Sequence, residues 1–416
     1  MLAPGPRPLA FPFPPPEGLL CCPEYRQLRA TQPVCRVRLP YGGDAWLVTS
    51  HAEAMTVLGD PRFSRAATVG MDLPRETPEP VERTGISVLD PPEHSRIRRL
   101  AARAFTPRRI AVLRPQVERC SERLLAAMKA SGQPADLVSC YARPMPLQLV
   151  SELRFIPPGD LHKLQAWSDA IVAGTSMSAA ERQRLEADIV DYATALIAAR
   201  RAQPGSDLVS ALIAVRDGGE DGGRESDRES DRESGTELTE PELVELIIGV
   251  LVAGLDTVSN ELANFAFMLL TDAAQWQALR ASPSLVPAAV EELLRFIPFS
   301  NGTMLPRVAV QPTTLAGQRI SQGDVLLVAT ESANRDERVF EDGERLVFGR
   351  DSSPHLGFGY GPHYCLGAHL ARLELHVAVE HWLELLPGLR LAVPPERIEW
   401  RRDQLVRGPV ALPVSW

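Results

Sequence analysis

Residues 355–372 read His-Leu-Gly-Phe-Gly-Tyr-Gly-Pro-His-Tyr-Cys-Leu-Gly-Ala-His-Leu-Ala-Arg, with Cys365 near the centre. Gly357, Gly359 and Gly361 precede it at alternate positions, so the backbone can pass close to something flat or bulky at angles other residues resist. Leu366, Leu370, Leu373 and Val377 follow at helical spacing, and the pattern runs to Leu386 before Pro387-Gly388 ends it. Cys365 is therefore expected at a helix N-terminus. Unpaired N–H groups and the dipole favour an anion there, and the thiolate is the form that binds a metal. A zinc site could draw on His355, His363, Cys365 and His369. The intervals weigh against it, because no second cysteine cluster supplies the paired ligands zinc sites use. A glycine loop carrying a structural thiol is the plainest alternative.

The spacing Phe-Gly-x-Gly-x-His-x-Cys-x-Gly is filled by Phe358, Gly359, Gly361, His363, Cys365 and Gly367. It resembles the haem-binding signature of the cytochrome P-450 family at every fixed position, and haem needs only the one thiolate. The resemblance runs in order from about Val34 to Trp416. It implies a mainly α fold with a small β region, built around a long central helix and the haem-binding loop, with haem b ligated by Cys365.

Other segments gain roles from the same resemblance. Ala253-Gly254-Leu255-Asp256-Thr257 interrupts an apolar helix with a glycine costing about 1 kcal/mol against alanine, and with an acid beside a hydroxyl. By spacing alone this is a kink with a satisfied threonine. The resemblance implies an oxygen-binding groove where the helix opens, Ala253 and Gly254 lying beside the haem and Asp256 and Thr257 relaying protons. His94 and Arg98 stand four apart and share a helix face. The resemblance makes them haem-propionate ligands, with Arg307 and His355. Glu292 and Arg295 lie one turn apart, and in the family this pair locks to a later arginine, here assigned as Arg345, to hold the haem loop. Val250, Phe299, Asn301 and Val406 are expected in the substrate pocket. Glu337 and Leu346 depart from the family pattern, which bears on local loop packing.

The elements that position these residues are legible from periodicity. Val34–Leu39 and Ala45–Thr49 alternate around a Gly42-Gly43 turn and predict a hairpin. Ser50 is placed as the cap of a short helix over 51–58. Further helices are expected across 114–201, including 161–172 and 189–199. Thr239-Glu240-Pro241-Glu242 is a capping box opening the longest helix, whose buried face is read as Leu243, Leu246, Ile247, Val250, Leu251, Gly254, Val258 and Leu262, continuing to about Leu270. Residues 217–237 repeat Arg-Glu-Ser-Asp without a large apolar residue, which predicts a low-complexity surface loop within a single domain spanning 1–416.

Composition bounds the function. The 416 residues are 44% hydrophobic and 23% charged, with a net charge of -9, which argues against nucleic acid as a partner. No membrane anchor or signal peptide is expected, and six cysteines without framework spacing suit a reducing cytoplasm. Seven arginines lie at 96, 98, 99, 103, 108, 109 and 114, a basic face on an acidic protein. An electron-donating ferredoxin would be steered to it. No flavin-binding segment is evident, so electrons from NAD(P)H are expected to arrive through a separate ferredoxin and ferredoxin reductase. The implied activity is O2-dependent hydroxylation of a small organic molecule, with similarity to actinobacterial natural-product members. Oxidative C–C or C–N coupling of an aromatic precursor is the alternative outcome. A haem-thiolate sensor that binds without turnover is a third, and the acid–alcohol pair argues against it.

Overall fold

A computed structural model describes residues 7–14, 18–76, 85–152, 156–172, 179–205, 207–217, 237–299, 306–351, 354–401 and 406–416. The 217–237 repeat falls almost wholly outside the described residues, as does Asn301. The chain forms two compact units, the first comprising residues 1–91 and 291–365 and the second residues 92–290 and 366–416.

The first unit holds a six-stranded sheet in the order Leu9–Ala10, Val34–Arg38, Asp44–Val48, Val325–Val328, Arg307–Ala309 and Phe63–Ser64. The expected hairpin is its centre, antiparallel with Val34 opposite Val48 and Arg38 opposite Asp44. Side chains alternate across the pleat. Val37, Leu47 and Leu327 join Phe11 and Tyr25 in one core, while Trp46, Val48 and Leu326 join Ala54, Val57 and Leu356 in another. Leu356 thus ties the segment leading to Cys365 into the sheet. A helix runs over His51–Gly59 as expected, but Ser50 does not cap it. The Ser50 hydroxyl is given to Glu53, and the His51 N–H is taken by Asp336 at 2.9 Å.

The second unit is mainly helical, with a three-stranded sheet of Arg390–Leu391, Pro413–Ser415 and Ala135–Asp136. Its longest element is the central helix, Glu240–Thr271, whose 32 residues span about 48 Å. The capping box is formed in full: Thr239 accepts from the Glu242 N–H, and Glu242 accepts from the Thr239 N–H at 2.8 Å. Leu243, Leu246, Ile247, Leu251, Leu255, Val258, Leu262 and Leu269 are buried on it. Val250 and Gly254 depart from the expected buried face, the first half-buried and the second exposed. The expected helix at 161–172 is seen over Leu161–Val172.

Candidate active site

The cysteine loop is folded by its own backbone. Gly359 N–H donates to Leu356 O at 2.9 Å, Tyr364 N–H to Gly361 O at 3.1 Å and Cys365 N–H to Phe358 O at 2.9 Å. Gly361 has φ of 70°, in the left-handed region that favours glycine. A Cβ on it would meet Gly59 Cα and Leu58 O, each at 2.9 Å, so this loop seats directly on the end of the His51–Gly59 helix. His363 closes a short 3-10 turn over Gly361–His363, and Phe358 is half-buried. Cys365 is exposed at the end of the loop, two residues before Gly367, which is the N-cap of the Ala368–Leu385 helix.

Behind the loop, Glu292 and Arg295 are fully buried and doubly bonded, Nε to Oε2 and Nη2 to Oε1, both at 2.7 Å. Arg295 spends its remaining donors on the carbonyls of Asn334, Gly343 and Arg345, at 2.6, 2.9 and 3.0 Å. The pair therefore gathers three turns of the 334–345 segment. The third charged partner differs from expectation: Arg350 Nε reaches Glu292 at 3.2 Å, whereas the Arg345 side chain is exposed and pairs with Asp342. Arg345 contributes its carbonyl instead. Asn334 then takes the Leu356 N–H at 2.6 Å, linking the network to the loop.

Arg307 leads a strand in register with Leu326 and is buried. Its Nη1 has no hydrogen-bond partner among the described residues, and burial pushes the guanidinium down to about 10, with Asp90 opposing. A buried cation with an unmet donor calls for an anion. His94 is buried and Arg98 half-buried on the Glu93–Ala104 helix, one turn apart as expected. His355 is arranged otherwise. Its Nδ1 accepts from the Gly357 N–H at 3.0 Å, which leaves the proton on Nε2, and Nε2 is 3.0 Å from Glu291. Both ring nitrogens are spent, so in this arrangement His355 has no N–H for a propionate.

On the central helix, Gly249, Ala253 and Gly254 are exposed, and Val250 and Thr257 half-buried, while Leu251, Leu255, Asp256 and Val258 are buried. One open stripe thus crosses an otherwise packed helix. The helix is continuous here, without the opening the resemblance implies. Thr257 Oγ1 donates to Ala253 O at 2.7 Å, so its oxygen lone pairs remain to accept. Asp256 accepts from the buried Ser168 hydroxyl, carried by the Leu161–Val172 helix. Asn260 Nδ2 donates to Asp256 O at 2.7 Å and Ser259 Oγ to Leu255 O at 2.6 Å. Sequence reading missed Ser168, Asn260 and Asn264, because single polar residues in apolar helices carry no periodic signal. Glu261, one position on from Asn260, is buried, and desolvation pushes its carboxyl up to about 8 against a hydrogen bond from Asn264. Phe299 is half-buried and Val406 buried.

Within the first unit, an exposed cysteine ending a backbone-fixed loop and a buried arginine with an unmet donor fit the thiolate and the anion-binding cation that a haem b group requires. Comparison with known proteins agrees. The cytochrome P450 family model matches residues 175–397. The chain is 42% identical over 409 residues to mycinamicin IV hydroxylase/epoxidase of Micromonospora griseorubida, covering 98% of this chain and 99% of that protein. It is 42% identical over 408 residues to nocardicin C N-oxygenase of Nocardia uniformis subsp. tsuyamanensis, covering 98% of each. Among solved structures, cytochrome P450mel 107F1, described as having biaryl coupling reactivity, superposes with a TM-score of 0.85 at 41% identity, covering 96% of this chain and 97% of that one.

The chain belongs to the cytochrome P450 family. It is a monooxygenase of the kind found in bacterial secondary metabolism, using haem iron, O2 and electrons from NAD(P)H delivered by redox partners. No helix among the described residues is long and apolar enough to cross a membrane.

Proposed function

We propose that this P450 hydroxylates a secondary metabolite, with Cys365 as the residue that would hold the haem iron, the open stripe of the central helix as the substrate face, and Asp256 and Thr257 as the proton relay. The observation that carries the relay is the buried Asp256 beside Thr257, whose hydroxyl is oriented by Ala253 O. When bound, the haem supplies O2 activation, with the thiolate favouring O–O cleavage.

The residues of the chain do the rest. Arg307, His94 and Arg98 would hold the propionates, and His355 would join them only by exchanging Glu291 for a carboxylate. Ser168 orients the Asp256 carboxylate by donating its hydroxyl to it. With its proton given to Ala253 O, the Thr257 oxygen would accept a hydrogen bond from a proton donor on the open side. Val250 and Val406 supply apolar contact. Of the seven arginines, Arg96 pairs with Glu242 and Arg114 with Glu118 and Glu380, while Arg99 and Arg108 stand exposed. Support for ferredoxin as electron donor is this residual basic face.

Hydroxylation is favoured over coupling because the two curated relatives above are named as oxygenating enzymes. Turnover with 18O2 tests it: product carrying one 18O atom is expected. Product bearing no label, with a new C–C or C–N bond, would move the assignment to coupling.

A further inference from the structure

The helix face that carries the open stripe continues past the relay, where it is covered. Ala253, Thr257, Asn260, Asn264 and Phe267 follow at alternating steps of four and three, which places them on one face. The base of a C-terminal hairpin is laid on the last three. Arg401 N–H donates to Gly408 O at 3.0 Å and Val410 N–H to Glu399 O at 2.8 Å, so residues 399–401 and 408–410 are paired. Trp400 meets the Phe267 ring edge to face at 4.9 Å. Asn264 Nδ2 donates to Arg407 O at 3.0 Å, and Glu261, also buried, hydrogen-bonds the same amide. Gly408 approaches Asn260 so closely that a Cβ on it would lie 1.9 Å from the Asn260 amide oxygen. The other end of that amide donates to Asp256 O at 2.7 Å, so it cannot swing away without losing a bond to the relay turn.

We propose that Asn260 and Asn264 are specificity-positioning residues: by clamping Arg407 and Gly408 to the central helix they fix where Val406 stands along the open stripe, and with it the bulk of substrate that the stripe admits. Neither touches the reacting atoms. The distance from Thr257 to Asn264 along the axis is about 10 Å, the reach of one ring system beyond the reaction centre. This inference rests on the reading that the Ala253–Thr257 face is where substrate lies.

The test compares two azoles that bind haem iron through nitrogen, followed by the Soret shift of the haem-loaded full chain. Imidazole reports the iron alone, whereas 4-phenylimidazole carries a ring into the space above it. Gly408→Ala is expected to change the 4-phenylimidazole Kd by about tenfold while leaving imidazole within about twofold, the size of effect that reshaping an apolar pocket produces. Asn260→Ala, which removes the amide packed against Gly408 and its bond to Asp256 O, is expected to move the ratio of the two Kd values several-fold from wild type. Asn264→Leu, near in volume and lacking the donor to Arg407, is expected to move the same ratio, and it decides the matter if Gly408→Ala fails to fold. An unchanged ratio in both Gly408→Ala and Asn264→Leu, or in Asn264→Leu alone where the glycine variant is unfolded, would overturn the proposal. Absence of any imidazole shift in wild-type protein would instead overturn the haem assignment, a distinguishable failure.

Discussion

The cysteine loop and the middle of the central helix are held in different ways. In the loop, Gly361 seats on Leu58 and Gly59, and the Phe358, Leu356 and Gly361 carbonyls accept the Cys365, Gly359 and Tyr364 N–H groups, so backbone atoms set most of the geometry around the cysteine. In the helix, regular backbone bonding leaves the specific arrangement to side chains: Thr257, Ser259 and Asn260 turn back onto carbonyls four residues earlier, and Asp256 is fixed by Ser168. A site fixed by backbone packing tolerates almost no change at its glycines and is indifferent to many side chains. A site fixed by side chains keeps its fold when they change and loses chemistry instead.

That contrast breaks first at Gly361. Gly361→Ala adds a methyl 2.9 Å from two backbone atoms at a φ of 70°, a combined cost of about 2 kcal/mol or more. Haem content of the purified variant is expected to collapse. Full haem loading would show that the loop has freedom the close packing denies.

Thr257→Ala should behave in the opposite way, loading haem normally while product formed per NAD(P)H consumed falls by about tenfold or more and the lost electrons appear as peroxide. Thr257→Ser, which keeps the hydroxyl, is expected to retain most of the coupling. Equal coupling in wild type and the alanine variant would remove Thr257 from the relay.

The smallest effect concerns Glu261, whose carboxyl is pushed up to about 8 by burial. The unfolded value is about 4.3. The folded chain therefore keeps a proton that the unfolded chain has released, and this group makes stability fall as pH rises from about 4.3 to 8. Glu261→Gln, matched in shape and unable to ionise, is expected to flatten that slope and raise the Tm at pH 7.5 by about 3 °C. A thermal melt series across this window with identical slopes in both proteins would show that Glu261 ionises freely.

How much of this was legible in the sequence follows the same division. The hairpin over 34–48, the capping box at Thr239 and the helix over 161–172 were readable because local chemistry and period determine them. The cysteine loop was readable because backbone-packed turns leave glycines at fixed intervals. What escaped was decided by chain segments distant in sequence. Arg350 rather than Arg345 completes the Glu292 network, since the turn at 342–347 carries the Arg345 side chain outward while its carbonyl points in. Glu291 takes His355, and Glu53 takes the Ser50 hydroxyl that was expected to cap the helix. Val250 and Gly254 read as buried by periodicity, yet they line the open stripe, because an apolar period does not tell which face the fold covers. Ser168, Asn260 and Asn264 carry no pattern at all; only the fold shows what they hold.

The central claim is that Cys365 is the axial thiolate of a haem iron. The absorption spectrum of the reduced protein under carbon monoxide, taken for wild type and Cys365→Ser, tests it most directly. A strongly red-shifted Soret band in the wild type that the substitution abolishes is the result this account predicts. A colourless wild-type protein expressed with adequate haem, or a red-shifted band that survives the loss of Cys365, would contradict it.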